Sequence, residues 1–333
     1  MTKAFSSAST ASIRTDTISI DFAGQDMVIP FQVEELDIRG RAVQLGPLLD
    51  TILSRHDYPE PVARLLAEAI CLTVLLGTAL KFEGRFLLQT QTDGPVSLIV
   101  TDFRTPDAMR AYARFDPEAV AALDNPDTVA LLGNGTLAMT LDQGQFSQRY
   151  QGIVALDGIG LEEVVRRYFL QSEQIPTDVR LAVGEVFTRQ QDAEPKHSWI
   201  AGGILMQFLP DSTERMRQKD LDGGDGSSAN DGFVEDDAWL EAKALLNTVE
   251  DVELTDMAVE PERLLFRLFH EQGVRVFPGV PVQDRCSCSS EKVVSMIEGF
   301  SEEERAESAE DGQIKVTCEF CSQSYAFGLD QFQ

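Results

Sequence analysis

Cysteine placement constrains this chain more than any other feature. Four of the five cysteines form two close pairs near the C-terminus, Cys286-Ser-Cys288 and Cys318-Glu-Phe-Cys321. Two pairs joined by a segment long enough to fold are how structural zinc is clamped, by four thiolates in a tetrahedron. The second pair has the common two-residue gap, and the first, with one residue, is less usual. Five cysteines in 333 residues are too few for a secreted disulfide scaffold. His56, His197 and His270 are scattered and read as ordinary surface or packing residues. Four thiolates leave no open position for water, which argues against zinc catalysis. Cys286, Cys288, Cys318 and Cys321 are therefore expected to be a structural staple or a sensor.

Energetics make a sensor possible. Zinc binding to small structural sites is worth about 10–16 kcal/mol, whereas a whole domain is stable by only about 5–15 kcal/mol. A small module would lose most of its folding free energy with its metal. Thiolates are also the form of cysteine that peroxide attacks. Oxidation would remove ligands, and unfolding would follow.

The rest of the chain reads as α+β, a mostly antiparallel sheet with packed helices. Residues 17–35 alternate apolar and polar, as paired strands do. Pro61 to Leu80 is a helical pattern, apolar nearly all round, and so a buried helix. Cys71 lies inside it and reads as a small buried side chain. Phe86–Thr92 and Val96–Phe103 flank the turn Asp93-Gly94-Pro95. Ala108–Phe115, Thr136–Leu141 and Gln148–Leu156 continue the strand pattern, with a Gly-Asn-Gly turn at 133–135. Gly160 to Leu170 reads as an amphipathic helix. Val179–Phe187 and Ile200–Leu209 read as two strands, or as a strand and a helix.

Four parts follow: a flexible extension over 1–16, a core domain over 17–217, an acidic and helical linker over 218–276, and a zinc-binding module over 277–333. The Gly-, Ser- and Asp-rich run from Gln218 to Asp237 marks the linker. Two helices follow it, over Ala238–Val249 and Pro261–Gln272. The second carries an apolar stripe of Leu264, Leu265, Leu268 and Phe269. Too short to hold a core alone, these helices must dock on something. In the module, Ser301 to Glu304 fits a capping box. Asp311-Gly312 turns into a strand at Ile314–Thr317, which Tyr325–Phe327 can pair.

Charge narrows the function classes. The net charge is −27, and 13 acidic residues stand against one lysine from Asp220 to Glu260. Nucleic-acid affinity rests on Lys and Arg neutralising phosphates, so such a partner is not expected. No uninterrupted apolar run reaches the ~20 residues of a membrane span. The N-terminus lacks the apolar block of a secretory signal, so the cytoplasm is the expected compartment. Walker, HExxH and GxSxG motifs are missing, and no enzyme is expected.

Several segments together resemble a known family: LLQTQTDGPVSLIVTD at 87–102, YFLQSEQIPT at 168–177, AGGILMQFLP at 201–210, LLFRLFHEQGVRVF at 264–277, CSCS at 286–289 and CEFCSQSYAF at 318–327. From residue 17 onward the chain resembles the redox-regulated 33-kilodalton chaperonin (heat-shock) family of bacteria. The resemblance implies an ATP-independent holdase, inactive when reduced and holding one zinc ion per chain. It implies that oxidative stress under unfolding conditions forms disulfides Cys286–Cys288 and Cys318–Cys321. Zinc then leaves, the C-terminal region unfolds, and the protein dimerises and binds unfolding clients. No client-binding residue carries over. The extended N-terminus and the Gly/Asp-rich stretch around 220–237 depart from the family pattern.

Two rivals remain, a structural zinc-ribbon binding protein and a thiol-disulfide oxidoreductase. Oxidoreductases place CxxC at the start of a helix after a strand, whereas a strand-rich tail surrounds this one. A further expectation is that the zinc module covers or braces the apolar stripe at 264–269.

Overall fold

The computed structural model describes residues 24–80, 83–143, 150–188, 196–209 and 236–332. The extension over 1–16 and nearly all of the acidic run at 218–237 lie outside them.

Two large sheets sandwich one helix. The first sheet contains β1 (Met27–Val33), β2 (Ile38–Leu45), β8 (Thr177–Thr188) and β9 (Lys196–Phe208), in order β1-β2-β9-β8. The second contains β3 (Arg85–Thr92), β4 (Val96–Arg104), β5 (Ala108–Phe115), β6 (Gly135–Asp142) and β7 (Tyr150–Ala155), in order β5-β4-β3-β6-β7. All these pairings are antiparallel. Helix α1 (Pro47–Leu53) leads into α2 (Glu60–Ala79), which starts with proline at its first turn, where a missing N–H costs nothing. Between the sheets α2 buries Val62, Leu66, Ile70 and Val74 among its many core side chains. By length and composition α2 could cross a membrane, with hydropathy 1.8, but 78% of that stretch is buried inside the fold. Cys71 is fully buried there, as expected of a small apolar side chain.

Short helices α3 (Pro117–Ala121) and α4 (Thr128–Leu132) follow β5. The turn at Asp93-Gly94 and the one at Gly133-Asn134 interlock. Gly94 N donates to Leu132 O (3.1 Å), and Asn134 N donates to the Asp93 carboxylate (2.7 Å). A Cβ on Gly94 would sit 2.4 Å from Leu132 O, and Gly133 holds φ +65°, so glycine is required at both. Helix α5 (Leu161–Tyr168) packs on the same core.

Helices α6 (Asp237–Leu246), α7 (Asp251–Thr255) and α8 (Pro261–Phe269) cover the other face of the first sheet. Leu264, Leu265, Leu268 and Phe269 are buried against Phe31, Ile204 and Met206, and Phe31 stacks on Phe269 at 6.1 Å. The cover over the stripe is thus the first sheet. Among the described residues, none beyond Val274 joins this cluster, so the expected cover by the cysteine module is not found.

The chain then stitches both sheets together. β10 (Val274–Val276) and β11 (Val280–Pro281) pair antiparallel with β1, and β12 (Gln283–Asp284) pairs parallel with β5. Beyond them, α9 (Ser290–Glu298) packs on a small sheet of β13 (Ala309–Glu310), β14 (Gln313–Thr317) and β15 (Ser324–Gly328), and α10 (Glu302–Glu307) leads into that sheet. The capping box forms: Glu304 N donates to Ser301 Oγ (3.2 Å), and Ser301 N donates to Glu304 (2.8 Å). Among its described residues, this part buries Ile297, Ile314 and Phe327 alone in a core of its own.

Candidate metal centre

β12 delivers Cys286 and Cys288 just before α9. Cys318 and Cys321 lie in the turn between β14 and β15, where Ser322 N donates to Cys318 O (2.8 Å) and Cys318 N donates to Gln323 O (2.9 Å). Ser322 takes φ +57° to close this knuckle. All four sulfurs lie within 4.8 Å of one another. Contacts run between the pairs, Cys286–Cys318 at 3.7 Å and Cys288–Cys321 at 3.3 Å. Sulfurs about 2.3 Å from a tetrahedral zinc lie about 3.8 Å apart, so the donor set fits that ion in number, chemistry and spacing. The same separations are far longer than the ~2.0 Å of a disulfide.

The surroundings are polar and asymmetric. Arg110 Nη1 donates to Cys286 Sγ (3.7 Å), and the Tyr325 hydroxyl donates to Cys288 Sγ (3.3 Å). Burial opposes ionisation of Cys286. Hydrogen bonds from the Cys288 backbone, Arg110 and neighbouring thiols outweigh it and bring Cys286 down to about 7. Burial, reinforced by neighbouring thiols, pushes Cys321 up to about 12. Burial likewise raises Cys318. The surroundings of Cys286 thus favour its thiolate, the form that binds metal and reacts with oxidants.

The knuckle rests on the core. Along β5, Met109 and Ala111 face inward and are fully buried, so Arg110, Tyr112 and Arg114 line the other face. Phe320, between the knuckle cysteines, meets the Tyr112 ring edge-on at 4.8 Å and lies 4.0 Å from the Arg110 guanidinium. Arg114 pairs with Glu319 (3.1 Å), and His56 Nε2 donates to Glu319 O (2.9 Å). Ser322 Oγ donates to Arg55 O (3.0 Å), while Arg55 pairs with Asp284.

A fold in which both large sheets flank one helix, with a four-thiol cluster beyond them, can be compared with known proteins. The family model described as Hsp33 protein matches residues 26–328. The chain belongs to the Hsp33 family. A 33 kDa chaperonin of Caulobacter vibrioides (strain NA1000 / CB15N) is 45% identical over 305 residues, covering 90% of this chain and 94% of the relative. One from Escherichia coli O7:K1 is 33% identical over 303 residues, covering 91% and 92%. The Hsp33 homologue of Thermotoga maritima, a crystal structure, shares the fold at TM-score 0.69 with 19% identity, covering 92% of this chain and 97% of that one. Membership makes this a chaperone-family protein, as the resemblance implied, and its mixed helix and antiparallel sheet match the α+β reading of the sequence pattern.

The four cysteines singled out in the sequence of this Hsp33 member are brought together as one cluster. His56 reaches the cluster's edge through a carbonyl and supplies no ligand atom to it. His197 pairs with Glu185, and the His270 ring lies tilted against Phe266, so neither joins the cysteine cluster. Sequence reasoning missed Arg110, Tyr112, Arg55 and Asp284. The only signal was the every-second-residue run Arg110, Tyr112, Arg114 on a strand whose other face is apolar.

Proposed function

We propose that this chain is a redox-regulated, ATP-independent holdase, with Cys286, Cys288, Cys318 and Cys321 holding one zinc ion in the reduced, inactive state. The observation that carries this reading is the closed four-thiol cluster in a member of a chaperonin family. Bound zinc would cross-link two chain segments and, with all four positions filled by thiolate, would leave none for substrate. On oxidation by hydrogen peroxide, two thiolates give up two electrons, the peroxide takes up these electrons with two protons from solvent and leaves as two waters, and a disulfide forms. Two such steps join Cys286 to Cys288 and Cys318 to Cys321 and dismantle the ligand set. Each pair is close in sequence, so both disulfides can close while the chain around them unfolds.

The consequence travels along the chain. Cys286 follows β12, β11 and β10, which join the module to both large sheets and to α8. Loss of the module loosens this stitch and the linker helices α6–α8, and the apolar face beneath binds unfolding clients through area that water solvates poorly. The oxidised protein dimerises. The compartment is the cytoplasm, and the −27 charge supports partners other than nucleic acid.

A peroxide titration at elevated temperature tests this, with zinc release followed by a chromogenic chelator and aggregation of a denatured client followed in parallel. Release and aggregation suppression should rise together, with mass spectrometry showing the two within-pair disulfides. Hydrogen exchange should show protection lost over 238–285. Zinc release with no gain in suppression reduces the cluster to a structural staple.

A further inference from the structure

Arg110 occupies an unusual position. It belongs to β5 of the core, yet it touches the cysteine cluster 176 residues further along the chain. Its Nε donates to Asp102 (2.6 Å), a carboxylate only 3% exposed that also accepts from Arg85 (2.6 Å). Two guanidiniums against one carboxylate leave a positive charge. Arg110 directs Nη1 toward Cys286 and its flat face toward Phe320. Four thiolates around a divalent cation carry net negative charge, which a nearby fixed cation stabilises. A guanidinium can hydrogen-bond and stack at once, which an ammonium cannot.

We propose that Arg110 is a positioning residue of the metal centre: from the core it holds Cys286 by hydrogen bond and the 318–321 knuckle by stacking on Phe320, so that metal retention and docking of the C-terminal module are coupled. This rests on the reading of the four cysteines as a zinc site. The core is then part of the outer shell of the metal rather than a bystander. Such outer partners commonly alter metal affinity by about 10–100-fold. The two ends of the contact come from different halves of the site, Cys286 from the first pair and Phe320 from the second. Arg110 therefore spans the same two segments that the metal would cross-link.

The test uses full-length, reduced, zinc-loaded protein and three variants, Arg110→Gln, Arg110→Lys and Phe320→Ala. Two quantities are read: the rate of zinc transfer to a chromogenic chelator without oxidant, and hydrogen exchange over 108–114 and 313–328. Arg110→Gln should transfer zinc about tenfold faster and lose protection in both segments. Arg110→Lys, which keeps the charge but cannot hydrogen-bond and stack at once, should fall between the parent and Arg110→Gln in both transfer rate and knuckle exchange. Phe320→Ala leaves the Asp102–Arg110 pair intact and should speed transfer as well as exchange. Parent-like transfer in Arg110→Gln overturns the proposal, and so does fast exchange with parent-like zinc retention in both single-site losses. Where Arg110→Gln disturbs the core, seen as lost protection in α2, Phe320→Ala decides alone. A parent that binds one zinc but never suppresses aggregation overturns the chaperone switch and leaves this coupling intact. A parent that takes up no zinc overturns both.

Discussion

On α2, Glu68 turns its carboxylate toward the interior, where Oε2 accepts from the Thr128 hydroxyl at 2.9 Å. Burial raises its pKa to about 7 from the ordinary 4.5, helped by the charge of Glu162 and opposed by the Thr128 hydrogen bond. Below about 4.5 the carboxyl is neutral in both folded and unfolded chains and costs nothing. Between there and about 7 the folded state keeps a proton that the unfolded chain has lost, so stability falls as pH rises. Above about 7 the loss is complete. At 1.36 kcal/mol per unit, and discounted for the partial exposure of the residue, it amounts to about 2 kcal/mol. Glu68→Gln keeps an acceptor for Thr128 and removes the charge. Its denaturant midpoint should correspond to about 2 kcal/mol more stability than the parent at pH 8, with the difference shrinking below half by pH 5. A difference independent of pH would show that packing, and not ionisation, separates the two proteins.

Elements marked by a helix-length apolar run or by local turn chemistry were legible in the sequence, and strands buried on both faces were not. The helix at 61–80 and the hairpin around Asp93-Gly94 appear within a residue or two of their expected ends, because composition and turn chemistry act locally. β8 and β9 could be read as strand or helix because their sheet lies between α2 on one side and α6–α8 on the other. Ile200, Ala201, Ile204, Leu205 and Met206 are all buried, which erases the alternation a half-buried strand shows. The cysteine half of the candidate metal centre was legible from spacing. Its core half was not, since Arg110 and Arg55 meet the knuckle only through tertiary folding. Gly202 shows the same limit. In sequence it merely weakens a strand, whereas in the fold a Cβ there would lie 2.0 Å from Leu254 O. Gln44 donates to the same carbonyl (3.2 Å) and to Asp256 O (3.0 Å), so α7 is held against the sheet by its backbone. Gly202→Ala should push α7 away at a cost of about 1–3 kcal/mol. Hydrogen exchange should speed over 237–269 and remain slow in α2. Unchanged exchange in α6–α8 would mean that the helices hold their place without this close approach.

At the scale of the molecule, stability is unevenly distributed. The two large sheets share a core around α2, and a second apolar cluster fixes α6–α8. The C-terminal part has three buried apolar side chains, too few to fold unaided. Its remaining support is the thiol cluster and the docking contacts of the 319–322 loop on Arg55, His56, Arg110, Tyr112 and Arg114. Those contacts are mostly at the surface, where an ion pair is worth about 0–1 kcal/mol. A metal cross-link worth about 10 kcal/mol would therefore dominate. Chelation under reducing conditions separates the two bodies without any oxidant. With reductant and chelator present, amides of β14 and β15 should lose protection and α9 should melt, while α2 keeps its protection and the main calorimetric transition moves by only a few degrees. The order of events matters here, because the strands β10 to β12 connect the dependent part to the self-sufficient one. If chelation instead lowers the main transition as far as it lowers protection of the C-terminal strands, the metal stabilises the molecule as a single cooperative unit, and a switch confined to its C-terminal region is not available to it.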